Sequence, residues 1–141
     1  MNIVILGSGN TATVLAKMMH AAGHSIVQVW SRNQHHAAEL ATQVQSKAIH
    51  SLQEITADAD LCMIAVSDKA ISEVTAELKL KKKVLVHTAG SVSIEVLKNA
   101  SPNYGVLYPL QSLRKEMTVL PAVPFLIDGN SDDVKALLKD F

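Results

Sequence analysis

The sequence is poor in several features that would place a protein in a particular class. It contains one cysteine, Cys62, in 141 residues, so no internal disulfide can form, and this composition fits a reducing compartment. Its four prolines and six glycines form no linker, and no repeat or low-complexity tract is present. Lysine and arginine together number 13, as do aspartate and glutamate, whereas nucleic-acid binders usually have a basic excess that neutralises phosphates. We therefore expect no nucleic-acid partner.

Long hydrophobic runs are also missing. No apolar stretch approaches the roughly 18 residues that would span a bilayer, and Met1-Asn2-Ile3 lacks the charged segment that opens a signal peptide. A cytoplasmic protein without a membrane partner is therefore expected. Hydrophobic residues make up 48% of the chain, which suits a single folded domain of this length. Because the formal net charge is zero, self-association would meet little charge repulsion.

What the sequence does contain is an alternation of short apolar runs with helical patterns. Strands are predicted at Ile3–Leu6, Ile26–Ser31, Ala48–His50, Leu61–Val66, Val84–His87, Tyr104–Leu107 and Phe125–Ile127. Apolar residues at helical spacing predict helices across Val14–Ala22, His35–Val44, Ile71–Leu78 and Asp132–Lys139, with a helical turn at Ile94–Leu97. This alternation indicates βαβ units with right-handed crossovers. The predicted fold is therefore α/β, a doubly wound and mostly parallel sheet with strand order 3-2-1-4-5-6.

The first predicted strand leads into Gly7-Ser8-Gly9-Asn10-Thr11-Ala12, the G-x-G-x-x-G/A pattern of Rossmann dinucleotide-binding domains. Gly7 would allow the tight turn, Gly9 would let a pyrophosphate approach the backbone, and Ala12 would let the helix pack on the sheet. Backbone N–H groups at the start of the helix would then bind the phosphates. The alternative is a glycine turn without a ligand, but two glycines and a small third residue exceed what a turn requires. All six residues are predicted to bind the cofactor.

The end of the second strand indicates which dinucleotide is bound. In NAD sites an acidic residue about 20 positions beyond the loop binds the ribose 2′-hydroxyl, but here the corresponding segment is Ser31-Arg32-Asn33. Arg32 could make charge-assisted hydrogen bonds to a 2′-phosphate, with further donors from Ser31 and Asn33. The alternative is an ordinary solvated arginine in a loop. The segment predicts NADP(H) as the cofactor, with Trp30 as a packing residue beside it.

Further candidate residues follow later strands, where ligands bind in doubly wound sheets. His87 ends the fifth strand and is the predicted catalytic proton donor or acceptor, because the ordinary pKa of histidine lies near neutrality. The alternative is a hydrogen-bonded histidine that closes the strand end. Thr88 could bind a carboxamide or a substrate oxygen, and Tyr108 and Gln111 could line the substrate side. No histidine or cysteine cluster suggests a metal site.

Several fragments together resemble a known family. The G-x-G-x-x-A loop, Ser31-Arg32-Asn33 and the segment Ala59–Asp68 are similar to the pyrroline-5-carboxylate reductase and 6-phosphogluconate dehydrogenase-like group. Val86–Ser91 and Tyr108–Leu113 resemble a branch of NADP oxidoreductases, or coenzyme F420-dependent-like proteins, with a C-terminal DUF2520 domain. The resemblance covers essentially the whole chain.

The resemblance implies that the adenosine and ribose side is bordered by three residues, Ala65, Val66 and Ser67, and that His87–Gly90 lies near the nicotinamide. It also implies that residues 1–141 are the NADP-binding part of a longer protein, whose helical second domain completes the cleft and mediates homodimerisation.

Three functional hypotheses follow. The first is an NADP(H)-dependent oxidoreductase, or its cofactor domain, that transfers hydride to or from a small carbonyl or imine substrate. The second is a non-catalytic NADP(H)-binding sensor or scaffold module, since no unmistakable catalytic acid is present. The third, F420-linked reduction, depends on family names alone.

Overall fold

The computed structural model describes residues 1–141 and contains seven β-strands and four α-helices. The strands are β1 (Asn2–Leu6), β2 (Ser25–Trp30), β3 (Lys47–Ile49), β4 (Leu61–Ile64), β5 (Val84–His87), β6 (Asn103–Pro109) and β7 (Phe125–Gly129). The helices are α1 (Asn10–Ala21), α2 (Gln34–Gln43), α3 (Asp68–Ala76) and α4 (Asp132–Leu138), with short 3₁₀ turns at Leu52–Glu54 and Ile94–Leu97.

The central strands are mostly apolar because helices cover both faces of the sheet. In β1, Ile3 and Ile5 pack into a core formed with α1, α2 and α4. Val4 and Leu6 point to the opposite face and pack into a second core that includes residues of α3. This alternation is the period-two geometry of a strand. Because both faces are buried, successive residues Ile3–Leu6, Leu61–Ile64 and Val84–Val86 are all hydrophobic.

The seven strands form one sheet in the order β3-β2-β1-β4-β5-β6-β7, which confirms the predicted order of the first six strands. The chain winds outward from β1 through α1 and α2 to β3, then crosses to the other side of β1 to enter β4. The order therefore reverses between β1 and β4, and a crevice forms outside the carboxyl ends of these strands. The fold is the predicted α/β Rossmann-like sheet.

The last strand departs from the parallel pattern. β7 pairs antiparallel with β6, with Tyr108 opposite Leu126. Residues 110–124 connect the two strands without a helix, and an antiparallel neighbour needs no crossover helix. The sheet is thus mostly parallel, with one antiparallel edge.

Two strand ends differ from the prediction in ways that affect the crevice. β4 ends at Ile64 rather than Val66, so Ala65 and Val66 leave the sheet. β6 is longer than predicted and runs to Pro109, which places Tyr108 within a strand. None of the helices has the length and hydrophobicity needed to cross a bilayer.

Candidate functional site

The loop between β1 and α1 is shaped by Gly7. Its φ of +131° lies in a region that favours glycine, and a Cβ at this position would overlap the carbonyl oxygen of Ala65. The Gly7 N–H donates to the carbonyl oxygen of Trp30 at 2.7 Å. Gly7 therefore turns the chain tightly off β1 while staying in contact with the ends of β2 and β4.

The start of α1 has no internal cap. Gly9 is the N-cap residue and supplies no side chain, and the first intrahelical bond is donated by Thr13 to the carbonyl oxygen of Gly9. The backbone N–H groups of Asn10, Thr11 and Ala12 have no partner within the chain. Since the N-terminal end of a helix also carries partial positive charge, this junction attracts an anion.

A cleft of about 490 Å³ opens at this junction. It lies at the carboxyl ends of β1, β2 and β4, and it brings together residues from three separate segments of the chain. Its lining includes Gly7, Ser8, Gly9, Asn10, Thr11, Trp30, Ser31, Arg32, Ala65, Val66, Ser67, Asp68 and Ala70. A Cβ built on Gly9 would meet nothing within 4 Å, so the cleft stays open where the predicted pyrophosphate would lie. The residues present therefore fit a dinucleotide.

Two of the polar residues after β2, Ser31 and Asn33, are already engaged in hydrogen bonds within the chain. The hydroxyl groups of Ser8 and Ser31 are 2.7 Å apart, and Ser31 also accepts the Asn33 N–H at 3.2 Å. The Asn33 side chain caps α2 by accepting the His36 N–H at 3.1 Å. Ser31 and Asn33 thus fix the end of β2 and the start of α2, which positions Arg32 between them at the cleft.

Arg32 contacts a carboxylate that its own segment does not contain. Its Nη2 pairs with Oε2 of Glu73 on α3, and both side chains are largely exposed, at 61% and 65%. Glu73 approaches from the opposite side of the crevice, because α3 follows β4. The arginine predicted to bind a 2′-phosphate therefore already has an anionic partner.

A second cleft, of about 730 Å³, adjoins the first and shares Thr11, Val66 and Asp68 with it. It lies beyond the end of β5 and beside the end of β6, and its lining also includes Thr88, Ala89, Gly90, Ser91, Tyr108, Pro109, Leu110, Gln111, Ser112, Leu113 and Leu126. The Ser91 hydroxyl donates to Asp68 at 3.1 Å. The Tyr108 ring lies so close to Gly90 that a Cβ there would come within 2.6 Å of it. Thr88, Tyr108 and Gln111 therefore line the same cleft.

His87 does not line either cleft. The residue is fully buried, its Nδ1 accepts the Ala89 N–H at 3.1 Å, and its Nε2 lies 3.4 Å from the carbonyl oxygen of Ser93. Both ring nitrogens therefore have backbone partners in a neutral imidazole with Nε2 protonated. This geometry matches the alternative kept open above, a histidine that fixes the chain after a strand.

The burial of His87 has a consequence for stability. Burial lowers the pKa of His87 below its ordinary value of 6.5, although the Ser93 carbonyl opposes the shift. The unfolded state then binds the proton more tightly than the folded state, so stability is lost as the pH falls below about 6.5. We expect H87N, whose amide oxygen could still accept the Ala89 N–H, to lose less melting temperature than wild type between about pH 7.5 and 5.5.

Thermal unfolding at both pH values checks this expectation. H35N is the matched control, since His35 is exposed on α2. An unchanged pH dependence in H87N would contradict the coupling of this histidine to folding.

Two residues in or beside these clefts had not been selected from the sequence. Asp68 borders both clefts from the first turn of α3, and Glu73 pairs with Arg32 from the next turn. Asp68 could have been found, since it lies just beyond the carboxyl end of the fourth strand, where ligands bind in doubly wound sheets. Glu73 could not, because it is 41 positions from Arg32 and only the fold brings them together.

The chain matches a known protein family. The family described as "NADP oxidoreductase coenzyme F420-dependent" matches residues 2–91, a range that includes the G-x-G-x-x-A loop, Arg32 and the end of β5. This match agrees with the predicted family group and with NADP(H) as its cofactor.

Solved structures share the fold over nearly the whole chain. A candidate NADP oxidoreductase from Bacteroides fragilis is 37% identical with a TM-score of 0.90, and the match covers 99% of this chain and 55% of that protein. An imine reductase from Pseudomonas sp. is 22% identical with a TM-score of 0.75, and the match covers 99% of this chain and 51% of that protein. At that identity the likeness shows the fold alone.

A curated relative is more distant. The glycerol-3-phosphate dehydrogenase [NAD(P)+] of Staphylococcus haemolyticus is 26% identical over an alignment of 115 positions, and the match covers 70% of this chain and 34% of that enzyme. The chain thus spans about a third of this relative, and about half of the solved structures it matches.

Proposed function

Because the chain belongs to the family of coenzyme F420-dependent NADP oxidoreductases, we propose that it holds NADP(H) for hydride transfer to or from a small carbonyl or imine substrate. The first cleft would hold the adenosine, 2′-phosphate and pyrophosphate portions. The second cleft, which adjoins it through Thr11, Val66 and Asp68, would hold the nicotinamide and the substrate.

One observation carries the proposal: the uncapped start of α1 faces an open cleft with Arg32 at its edge. Three backbone N–H groups without partners would bind the pyrophosphate, and the absent Gly9 side chain leaves room for it. The guanidinium of Arg32 would bind the 2′-phosphate that distinguishes NADP(H) from NAD(H). Ala65, Val66 and Ser67 would border the ribose.

When bound, the nicotinamide supplies the hydride chemistry, and the protein contributes position and proton transfer. Two ionisable side chains, Asp68 and Tyr108, line the second cleft. The Tyr108 hydroxyl is a donor that could give a proton to a carbonyl oxygen or imine nitrogen, while Thr88 and Gln111 could orient the substrate. We therefore place Tyr108, rather than His87, in the proton-donor role, and His87 becomes a positioning residue for Thr88 and Ala89.

Turnover tests this proposal. The purified full-length protein is mixed with NADPH and small imines, ketones and aldehydes, and oxidation of the cofactor is followed by its absorbance. We expect at least one class to be consumed, and we expect Y108F to lower kcat by roughly 10²-fold or more with little change in the Kd of NADPH. Y104F is the control, since Tyr104 lies on the same strand outside the cleft, against Glu95. Equal activity of Y108F and wild type would contradict the proton-donor assignment.

A non-catalytic NADP(H)-binding module is the second candidate. It is favoured by the burial of His87, which leaves few ionisable groups in the second cleft. Tight binding of NADPH without turnover of any substrate class would support the module and overturn the oxidoreductase.

We also propose that a DUF2520 second domain completes the cleft, that the protein forms a homodimer and that it is cytoplasmic. F420-linked reduction is the alternative to chemistry with NADP(H) alone. Exposed apolar side chains at the rim of the second cleft, Leu110 and Leu126, are consistent with a further domain covering this side.

A further inference from the structure

We propose that Glu73 is a specificity-determining residue that competes with the cofactor's 2′-phosphate for the guanidinium of Arg32. The proposal deepens the proposed function, since it rests on Arg32 binding that phosphate. It adds a residue from outside the cleft lining to the determinants of cofactor choice.

The contact joins two elements on opposite sides of the crevice. Arg32 follows β2 and Glu73 lies on α3, which follows β4, with β1 between those strands in the sheet. Arg32 lines the first cleft, whereas Glu73 does not. The ion pair therefore extends across the crevice, with the Glu73 carboxylate outside the lining of the first cleft.

Charge determines the direction of the effect. A 2′-phosphate at Arg32 would lie near the Glu73 carboxylate, and like charges repel. Arg32 would have to divide its N–H donors between the two anions or release the carboxylate. NAD(H) carries a 2′-hydroxyl instead, and so it meets neither the competition nor the repulsion. Glu73 would thus weaken NADP(H) binding selectively and narrow the preference for NADP(H) over NAD(H).

The size of the effect is limited by exposure. Both partners are more than half exposed, and exposed ion pairs contribute modestly and are screened by salt. We expect E73Q to tighten NADP⁺ binding by about two- to fivefold at low ionic strength, to leave NAD⁺ binding unchanged, and to show a smaller gain at high salt.

The experiment measures the Kd of NADP⁺ and NAD⁺ with the purified protein, by the fluorescence of Trp30, which lines the first cleft. The matched control is E77Q, which removes a negative charge from the end of α3 without touching Arg32. A gain for NADP⁺ in E73Q alone supports the proposal. No gain, or an equal gain in E77Q, overturns it.

Two further outcomes separate the possible roles of the contact. If E73Q weakens NADP⁺ and NAD⁺ equally, the pair is a clamp over the adenosine and the competition is wrong. In the R32A background, E73Q is expected to gain less than in wild type, because the shared guanidinium is gone. An equal gain there would show that Glu73 does not act through Arg32.

The proposed function fails in a different way. If neither nucleotide binds wild type, NADP(H) binding itself is wrong. If both bind but R32A weakens them equally, Arg32 does not bind the 2′-phosphate, whatever E73Q does.

Discussion

Replacing Gly9 with valine is expected to abolish dinucleotide binding while the protein remains folded. Gly9 has φ −79° and ψ −160°, an extended conformation that any residue adopts, and a Cβ would meet nothing within 4 Å. The valine side chain would instead occupy the open space beside the uncapped start of α1. Loss of hydrogen bonds from backbone N–H groups to a charged pyrophosphate should cost about 3 kcal/mol, or more than about 100-fold in Kd. Titration of Trp30 fluorescence with NADP⁺ measures this loss.

Gly7 provides the contrasting substitution, two positions away in the same loop. Because its φ is +131° and a Cβ would overlap the Ala65 carbonyl oxygen, G7A should destabilise the fold itself, by about 3 kcal/mol. That corresponds to a fall of about 10 °C in melting temperature, whereas G9V should melt close to wild type. Normal NADP⁺ affinity in folded G9V would mean that the pyrophosphate does not lie at this junction.

The loop that contains both glycines could be predicted from the sequence. The strand, the glycine loop and the helix are adjacent in the chain, so their local pattern was sufficient to predict the junction between β1 and α1. The order of the first six strands also followed, because right-handed crossovers leave few alternatives. The direction of β7 did not follow, since a five-residue strand carries no signal for parallel or antiparallel pairing.

One local turn and one long-range contact account for what sequence analysis missed at the site. The position of His87 at a strand end was predicted, but the partners of its ring depend on how residues 88–93 turn. That turn brings the Ala89 N–H and the Ser93 carbonyl to the imidazole, so the geometry resembles that of a structural histidine. The Arg32–Glu73 pair likewise exists only because β2 and β4 flank β1. The role of His87 is therefore set by the turn that follows it, and that of Arg32 by a residue 41 positions away.

Replacing Arg32 with alanine is expected to weaken NADPH far more than NADH. A charge-assisted contact to the 2′-phosphate is worth about 1.5–3 kcal/mol, which corresponds to a loss of roughly 10- to 150-fold. The exposure of Arg32, at 61%, places the expected value toward the lower end. NADH lacks the phosphate, and its Kd should change little. Parallel titrations of both nucleotides at one ionic strength measure the ratio directly.

Two variants make this selectivity interpretable. R32K keeps the positive charge but loses the planar fork of donors, so its NADPH affinity should fall between those of R32A and wild type. R114A removes the other arginine of the chain, which is exposed in the connection between β6 and β7, and it should leave the ratio unchanged. If R114A lowered NADPH affinity as much as R32A does, the loss would reflect general electrostatic attraction. If R32A weakened NADPH and NADH equally, the guanidinium would serve the shared part of the dinucleotide, and the assignment of NADP(H) would rest on the family alone.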